Sequence, residues 1–230
     1  LGRQLTCVDN PIRAYGWDIA GSLAGVALYT VLSALGTPPH LWYAVGGFLL
    51  LYFLRDRRLI AGSVAALLVV TALVAGSYQD AEWSPYYKVE TVPYRTEANR
   101  DLGFQVRVDN MRIQDALRFS PALAESPLKI WEPYYEMPYH IVKPKKVLVL
   151  GAGGGNDVVI ALRNGAEEVH AVEIDPVIAE MGRTTHPELP YQSDKVTAFV
   201  DDARAYISST DQTYDLIVMS ALDSHKQVAG

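Results

Sequence analysis

The feature that most constrains the fold is the stretch of residues 145–175, which reads KKVLVLGAGGGNDVVIALRNGAEEVHAVEID. Its short apolar run at residues 147–150 stops at a glycine, which is typical of a strand buried on both faces of a parallel sheet. The glycine-rich segment 151–155 lets the backbone turn tightly and approach a ligand closely. A helix is predicted next, with Asn156 as its N-cap and Gly165 at its end.

A second apolar run, residues 169–172, follows this helix and ends at Glu173. Strand, glycine loop, helix, strand and acid form the nucleotide-binding half of a Rossmann-like unit. Glu173 falls 22 residues after Gly151, near the spacing at which an acid reaches ribose hydroxyls. Asp157 would repel a pyrophosphate, so S-adenosylmethionine or a similar sulfonium nucleoside is favoured over a dinucleotide. The predicted nucleoside contacts here are Gly151, Gly153, Gly155 and Glu173.

The apolar residues are concentrated at the front of a chain that is 50% hydrophobic and carries a net charge of −6. Residues 17–36 contain one charged residue, Asp18, and residues 59–76 contain none. Both approach the roughly 20 residues with which a helix crosses a bilayer core, whereas residues 41–54 are shorter. We predict a membrane region of about three apolar helices over residues 1–76, with buried core helices as the alternative. Gly21 and Gly25 form a GxxxG pair that permits close helix contact in lipid.

The orientation of these helices is left open by two conflicting signals. Arg55, Asp56, Arg57 and Arg58 lie between the second and third apolar segments, and the positive-inside rule places this basic loop in the cytoplasm. The third helix would then deliver the rest of the chain to the outside. A nucleoside substrate is cytoplasmic, and we give this argument more weight. We therefore expect a multi-pass membrane protein with a cytoplasmic nucleoside-binding domain.

Composition argues against several other kinds of site. Cys7 is the only cysteine, which excludes a disulfide framework and a thiolate metal site. The five histidines are scattered without metal-ligand spacing, so no metal is predicted. The acidic balance argues against nucleic acid as a partner.

The rest of the chain divides into two further regions. Residues 77–142 are predicted to form a small β layer, with strands in 77–94 and 102–109, a polar loop or helix at 115–126 and a connecting helix from Tyr134. Residues 143–230 form the Rossmann-like domain, whose further strands are residues 196–200 and 214–219. Such sheets have about six or seven strands. With about four expected here and leucine as the first residue, we expect a fragment that lacks its C-terminal part and also begins inside a longer protein.

Six motifs in this order resemble the spermidine synthase family, the polyamine aminopropyltransferases, and most closely its membrane-fused bacterial branch. SPYYKV resembles the motif S-x-Y-Q-x-I, PYYEM with His140 resembles Y-x-E-M-x-x-H, and GAGGGN resembles G-G-G-D-G-G. VEID resembles V-E-x-D, DDAR resembles an adenine-binding D-A motif, and YDLIVMSALDS resembles Y-D-x-I-x-x-D-x-x-D-P. The resemblance covers residues 82–225 and the helical front. It implies an α/β, class I S-adenosylmethionine-type fold and a possible homodimer.

The resemblance also implies an activity, transfer of an aminopropyl group from decarboxylated S-adenosylmethionine to a polyamine or related amine. Asp202 would then accept a hydrogen bond from the adenine amino group, with Asp201 as a helix-capping neighbour. Asp175 precedes Pro176 and is predicted to be an N-cap. Because polyamines are cations, their site needs acids and aromatic walls. The candidates for that site are Tyr86, Tyr134, Glu136 and His140.

Departures from the family pattern leave the reaction open. The family's catalytic aspartate falls at Ser220 and its second aspartate at Asp223, so these two are the candidate catalytic residues. A serine cannot serve as a carboxylate base at neutral pH without activation. The loop aspartate falls at Gly154 and the strand glutamine at Tyr87. One alternative is therefore an S-adenosylmethionine-dependent methyltransferase, and another is a non-catalytic membrane protein that senses a nucleoside or polyamine.

Overall fold

A computed structural model of the chain describes residues 10–54, 56–78, 81–95 and 101–220. The chain divides into two compact units, residues 1–79 and 80–230. The first unit is helical, and the second contains two four-stranded sheets. Each unit is described by itself.

The first unit contains three helices, α1 (Pro11–Ala34), α2 (Pro39–Leu51) and α3 (Arg57–Ser77). Side-chain oxygens cap two of them, since Asn10 Oδ1 accepts from the Ile12 amide and Asp56 Oδ1 from the Arg58 amide. Helices α1 and α3 are long and apolar enough to cross a membrane, and α2 is a shorter apolar helix. The three helices contain no buried residue among those described.

Close helix contact in this unit occurs at a glycine other than the predicted pair. A Cβ atom placed on Gly21 or Gly25 would have no described atom within 4 Å. A Cβ on Gly47 of α2 would lie 2.3 Å from Cδ1 of Leu67 in α3. The close contact within this unit is thus at Gly47, and helix contact in lipid through Gly21 and Gly25 stays a prediction.

The second unit begins with an antiparallel sheet in the order β1-β2-β3-β4. Its strands are β1 (Ala81–Trp83), β2 (Lys88–Arg95), β3 (Asp101–Val108) and β4 (Met111–Leu117). The β layer is confirmed, but the polar loop or helix predicted from residue 115 is wrong at its start. Asp115 lies in β4, where its buried carboxylate pairs with Arg112. A polar residue in a strand was thus misread as a loop signal.

Three short elements connect this sheet to the next one. Helix α4 (Pro121–Ala124) and a 3₁₀ turn (Pro127–Ile130) lead into helix α5 (Trp131–Ile141). Helix α5 begins three residues before the predicted start at Tyr134 and contains Pro133 in its first turn. Proline is tolerated there because the first amides of a helix have no intrahelical partner.

The second sheet is parallel and alternates with helices. Its elements are β5 (Lys146–Leu150), α6 (Asn156–Arg163), β6 (Glu168–Glu173), α7 (Pro176–Thr184), β7 (Val196–Val200), α8 (Ala203–Ser209) and β8 (Leu216–Met219). The strand order is β7-β6-β5-β8, with Val149 opposite both Ala171 and Val218. The predicted Rossmann-like α/β fold with four parallel strands is confirmed.

The strand order determines where a ligand binds. From β5 the chain moves to β6 and β7 on one side and then to β8 on the other, so the order reverses between β5 and β8. Ligands of open α/β sheets bind outside the carboxyl ends of the strands at such a switch point. One apolar core joins both sheets, since Leu117 of β4 and Leu123 of α4 belong to the same buried cluster as Val149. The antiparallel layer is therefore positioned to contribute to a site at that edge.

Candidate functional site

The glycine loop after β5 requires its glycines for conformation and for space. Gly151, Gly153 and Gly155 have positive φ angles of 67°, 54° and 109°. A Cβ on Gly153 would lie 2.0 Å from Oε1 of Gln114. The same oxygen accepts a hydrogen bond from the Gly154 amide at 2.9 Å. Strand β4 thus lies directly against the loop.

Asn156 has a different role from the predicted one. The N-cap of α6 is Gly155, and Asn156 is the first residue of the helix, with a fully buried side chain. Its Oδ1 accepts from the Leu117 amide at 2.9 Å and lies 3.2 Å from Nε2 of His186. Its Nδ2 donates to the Asp115 carbonyl at 2.6 Å and to the Tyr135 hydroxyl at 3.2 Å. Asn156 therefore joins β4, α5 and the segment after α7 to the start of α6.

Glu173 lies buried at the end of β6 beside the glycine loop. Its Oε2 accepts from the Gly153 amide at 2.8 Å and its Oε1 from the Asp175 amide at 2.9 Å. Burial raises the pKa of Glu173, and these backbone hydrogen bonds oppose the rise. Each carboxylate oxygen has a second lone pair with which it can accept from a ribose hydroxyl, so ribose binding by Glu173 stays a prediction that is compatible with these contacts.

Asp202 and Asp201 follow β7 at the same edge. Oδ1 of Asp202 accepts from the amides of Arg204 and Ala205 at 2.9 and 3.0 Å, so Asp202 is the N-cap of α8. The alternative in which Asp201 is the cap is wrong, because the Asp201 amide donates to the Glu173 carbonyl at 3.0 Å and ends the strand pairing instead. The loop glycines, Glu173 and Asp202 thus lie together at the carboxyl ends of three neighbouring strands.

The turn that contains Tyr86 is attached to this edge through Asp175. Asp175 caps α7 as predicted, with Oδ1 accepting from the Val177 amide at 2.8 Å. Its Oδ2 accepts from the Ser84 hydroxyl at 2.5 Å, and that hydroxyl accepts in turn from the Tyr86 amide at 3.1 Å. The Tyr86 side chain is exposed and lies against the Tyr87 ring, with 6.0 Å between ring centroids.

A cavity of about 850 Å³ lies where β4, α5, the start of α6 and β8 meet. We call it the switch-point cavity. The residues that line it are Arg112, Ile113, Gln114, Asp115, Trp131, Tyr134, Tyr135, Met137, Pro138, Asp157, Leu216, Ile217, Val218, Met219 and Ser220. Of the predicted site residues, Tyr134 and Ser220 are in this lining. Glu136 and His140 lie one turn apart on α5 and are not in it, and Asp223 lies outside the described residues.

Asp157 also lines this cavity, whereas the sequence pattern indicated it only as an obstacle to pyrophosphate. The side chain is buried in the first turn of α6, and its Oδ2 has no hydrogen-bond partner among the described residues. Burial raises the pKa of the Asp157 carboxyl, and a hydrogen bond from the Ser220 side chain opposes the rise. Its position two residues after the glycine loop was the available signal.

Asp115 and Arg112 supply the other charges of the lining, and they neutralise each other. Arg112 Nε donates to Asp115 Oδ1 at 3.0 Å, and a second guanidinium nitrogen of Arg112 bonds to Oδ2. The Tyr94 hydroxyl also donates to Oδ1 at 3.0 Å. The Arg112 guanidinium lies 5.8 Å from the centroid of the Trp131 ring. In the described part of the chain, no group of three or more His, Cys, Asp or Glu side chains is arranged to hold a metal ion.

Comparison with known proteins identifies similar sequences. Residues 132–229 match the family described as "Spermine/spermidine synthase domain". A polyamine aminopropyltransferase of Korarchaeum cryptofilum is 29% identical over 87 residues, which cover 36% of this chain and 27% of that protein. Putrescine N-methyltransferase 2 of Nicotiana attenuata is 33% identical over 100 residues, which cover 40% of this chain and 27% of that protein. The chain thus spans about a quarter of the length of these two relatives.

Solved structures give a weaker similarity. Spermidine synthase from Thermotoga maritima matches with a TM-score of 0.41 and 19% identity, covering 58% of this chain and 48% of that one. With so low a TM-score, the fold assignment depends on the strand order and register of the chain itself. The sequence matches confirm the resemblance to the spermidine synthase family, and the membrane-fused branch and the truncation stay predictions.

Proposed function

We propose, from the premise that residues 132–229 belong to the spermine/spermidine synthase family, that the protein is an aminopropyltransferase. It would move an aminopropyl group from decarboxylated S-adenosylmethionine to a polyamine or related amine. The observation that carries this proposal is the switch-point cavity, which combines a buried carboxylate with aromatic side chains beside the glycine loop. Acids and aromatic rings are the groups that bind an organic cation.

The nucleoside would occupy the edge formed by the carboxyl ends of β5, β6 and β7. In this proposal the loop of Gly151, Gly153 and Gly155 lets the backbone approach it, Glu173 accepts from the ribose hydroxyls, and Asp202 accepts from the adenine amino group. The exposed ring of Tyr86 lies on the turn attached to Asp175 and would cover one side of this edge. Gln114, which lines the switch-point cavity and accepts from the Gly154 amide, would then lie between the ends of the nucleoside site and the amine site that do not react.

The reaction would be an in-line displacement at the methylene beside the sulfonium. The amine nitrogen forms a bond to that carbon, the carbon–sulfur bond breaks, and its electron pair stays on sulfur as methylthioadenosine leaves. The protein contributes by positioning the two reactants and by accepting the amine's proton. Tyr134 and Ser220 line the amine side, and Asp223, which lies outside the described residues, stays the other candidate catalytic residue. Glu136 and His140 would then act outside the cavity.

A methyltransferase is the second candidate, because one relative at 33% identity is a putrescine N-methyltransferase. That enzyme's name also specifies an amine acceptor. The two candidates therefore differ in the donor, S-adenosylmethionine instead of its decarboxylated form, and agree on the class of acceptor. No metal is required by either.

The helical unit would hold the enzyme in a lipid bilayer. Helices α1 and α3 have the length and apolar composition for crossing a membrane. We propose a multi-pass protein with its nucleoside-binding domain in the cytoplasm, where its substrates are found. The homodimer that the resemblance implies stays a prediction.

Product analysis tests the proposed reaction. The protein, purified in detergent, is incubated with 1,4-diaminobutane and with either decarboxylated S-adenosylmethionine or S-adenosylmethionine, and the products are identified by mass spectrometry. We expect methylthioadenosine and an aminopropylated amine from the first donor. S-adenosylhomocysteine and a methylated amine from the second donor would replace the proposal with the methyltransferase. Turnover of neither donor would leave a sensing domain as the remaining explanation.

A further inference from the structure

One carboxylate of the switch-point cavity is buried without a compensating charge. Asp157 is 6% exposed, and its Oδ2 accepts no hydrogen bond from the described residues. A buried charge without a partner is costly, and such groups in proteins are paired or take part in function. The other acid of the lining, Asp115, is already paired with Arg112 and bonded to Tyr94. Asp157 is therefore the acid of this lining that is available to a ligand.

The surroundings of Asp157 suit a small organic cation. The ring of Tyr134 makes edge contacts with the rings of Trp131 and Tyr135, with centroid distances of 6.2 and 5.9 Å. All three of these side chains line the same cavity as Asp157. An ammonium group donates up to three hydrogen bonds and is attracted by aromatic faces. An anionic ligand would instead meet the uncompensated carboxylate.

We propose that Asp157 binds the ammonium group of the acceptor amine and takes its proton, in place of the aspartate whose position is occupied by Ser220. Ser220 lines the same cavity as Asp157. Asp157 follows β5 and Ser220 follows β8, so they lie on the two sides of the switch point, where ligands of such sheets bind. This inference rests on the proposed function.

The proton transfer balances with groups that are present. The ionised Asp157 carboxylate accepts one proton from the ammonium group, which leaves a neutral amine with a free electron pair. That pair forms the new carbon–nitrogen bond while the carbon–sulfur pair goes to sulfur. The product is a secondary ammonium ion, and the protonated Asp157 carboxyl releases its proton to water. No oxidant, reductant or metal is needed.

Calorimetry of amine binding tests this role apart from turnover. The intact protein in detergent is saturated with methylthioadenosine and titrated with 1,4-diaminobutane, and methylthioadenosine alone is titrated separately. Asp157→Asn keeps the side-chain shape and removes the charge. Because a hydrogen bond to a charged group is strong, diamine affinity should fall at least about tenfold while nucleoside affinity stays within about twofold. The matched control is Glu167→Gln, an equal change of charge at an exposed acid that pairs with Lys145 before β6 begins, and it should alter neither affinity.

Two further variants keep the test decisive. Asp157→Asn combined with Ser220→Asp puts a carboxylate back in the cavity and should restore part of the diamine affinity. Ser220→Lys alone places a cation in the cavity and leaves Asp157 unaltered. It should weaken diamine binding at least about tenfold. This variant keeps the test available if Asp157→Asn does not fold.

The outcomes separate this inference from the proposed function. If the parent protein binds nucleoside and diamine, and either the Asn or the Lys variant binds both equally well, the assignment of Asp157 is wrong and the proposed function stands. If the parent binds the nucleoside without the diamine, the amine site assigned here is wrong. If it binds neither, the proposed function and this inference fail together.

Discussion

At the scale of single residues, the proposed reaction depends most on Asp157 and Ser220. The family pattern aligns the catalytic aspartate with Ser220, which suggests a lost activity when the sequence is considered alone. The structure places a second carboxylate beside that serine, on a different strand–helix junction. The identity of a residue at one position is therefore a poor guide to function when a neighbour in space can supply the same group.

Asp157→Asn should change the pH dependence of stability. Burial raises the pKa of Asp157 above its ordinary value of 3.8. A carboxyl with a raised pKa favours the folded state when it is protonated, so its contribution is fully present below about pH 3.8 and is lost as pH rises through the folded-state pKa. The Asn variant does not titrate, so its stability relative to the parent should increase from acidic to neutral pH. Urea unfolding of both proteins across this range measures the difference. If the parent instead becomes more stable relative to the variant as pH rises, burial does not raise the pKa of Asp157.

His186 should make the protein sensitive to acid. Its buried ring accepts from the Glu188 amide through Nδ1 at 3.0 Å, so Nε2 carries the proton that bonds to Asn156. Burial, aided by Arg118, lowers the pKa of His186 from 6.5 to about 4. A lowered pKa means that the contribution to stability is present above pH 6.5 and is lost as pH falls toward 4, a loss of roughly 3 kcal/mol. The free energy of unfolding of the parent protein and of His186→Gln is measured across this pH range. As pH falls, the parent should lose more stability than the variant by that amount. Equal losses in the two proteins would contradict the lowered pKa of His186.

At the scale of elements, the sequence predicted what depends on local pattern and missed what depends on contacts. The parallel strand at residues 196–200 and the cap at Asp175 were confirmed, because apolar runs and capping residues act locally. The strand β4 was missed, because Asp115 is polar and only its pairing with Arg112 makes burial favourable. The cap of α6 was misplaced by one residue, because a left-handed Gly155 replaces the side-chain cap. Tyr134 and Ser220, which were predicted from motifs, line the switch-point cavity, and Asp157 was recognised only because β5 and β8 are neighbours in the sheet.

Asn156→Ala should destabilise the second unit strongly. The buried amide bonds to groups of β4 and α5 and to His186, and alanine would leave several of these without partners. At about 1–3 kcal/mol for each buried group that is left unpaired, we expect a loss of at least about 3 kcal/mol. Asn164→Ala, at the residue that follows this helix, is the control, since its half-buried side-chain amide bonds only to the Ile160 carbonyl among described residues. If the two variants lose the same free energy of unfolding in urea, the buried hydrogen bonds of Asn156 do not stabilise the contacts between these elements.

On the scale of the whole molecule, the chain combines an apolar helical unit with a two-sheet unit that has its own core. Composition predicted this division, because the apolar segments precede the alternating strands and helices. The orientation in a membrane stays a prediction, since the basic loop at residues 55–58 and the location of the substrates favour opposite arrangements. The two units therefore call for separate tests.

Deletion of residues 1–79 tests the division directly. The intact protein should require detergent, because α1 and α3 are apolar and none of their described residues is buried. Residues 80–230 should remain in solution without detergent and should bind methylthioadenosine with the affinity of the intact protein. Phase partitioning in detergent followed by calorimetry measures both properties. An intact protein that stays in the aqueous phase would show that these helices do not enter a membrane.

The central claim is that an adenine nucleoside binds at the carboxyl edge of the parallel sheet, against Glu173. The most direct measurement is calorimetric titration of the intact protein with methylthioadenosine, with Glu173→Ala and Glu167→Ala compared in parallel. Ribose hydroxyls bonded to a carboxylate contribute about 1.5–3 kcal/mol per hydrogen bond, so Glu173→Ala should lower the affinity at least tenfold. Glu167 precedes the other end of the same strand, and its variant should bind as the parent does. Absence of binding to the parent, or equal binding by both variants, would contradict the account.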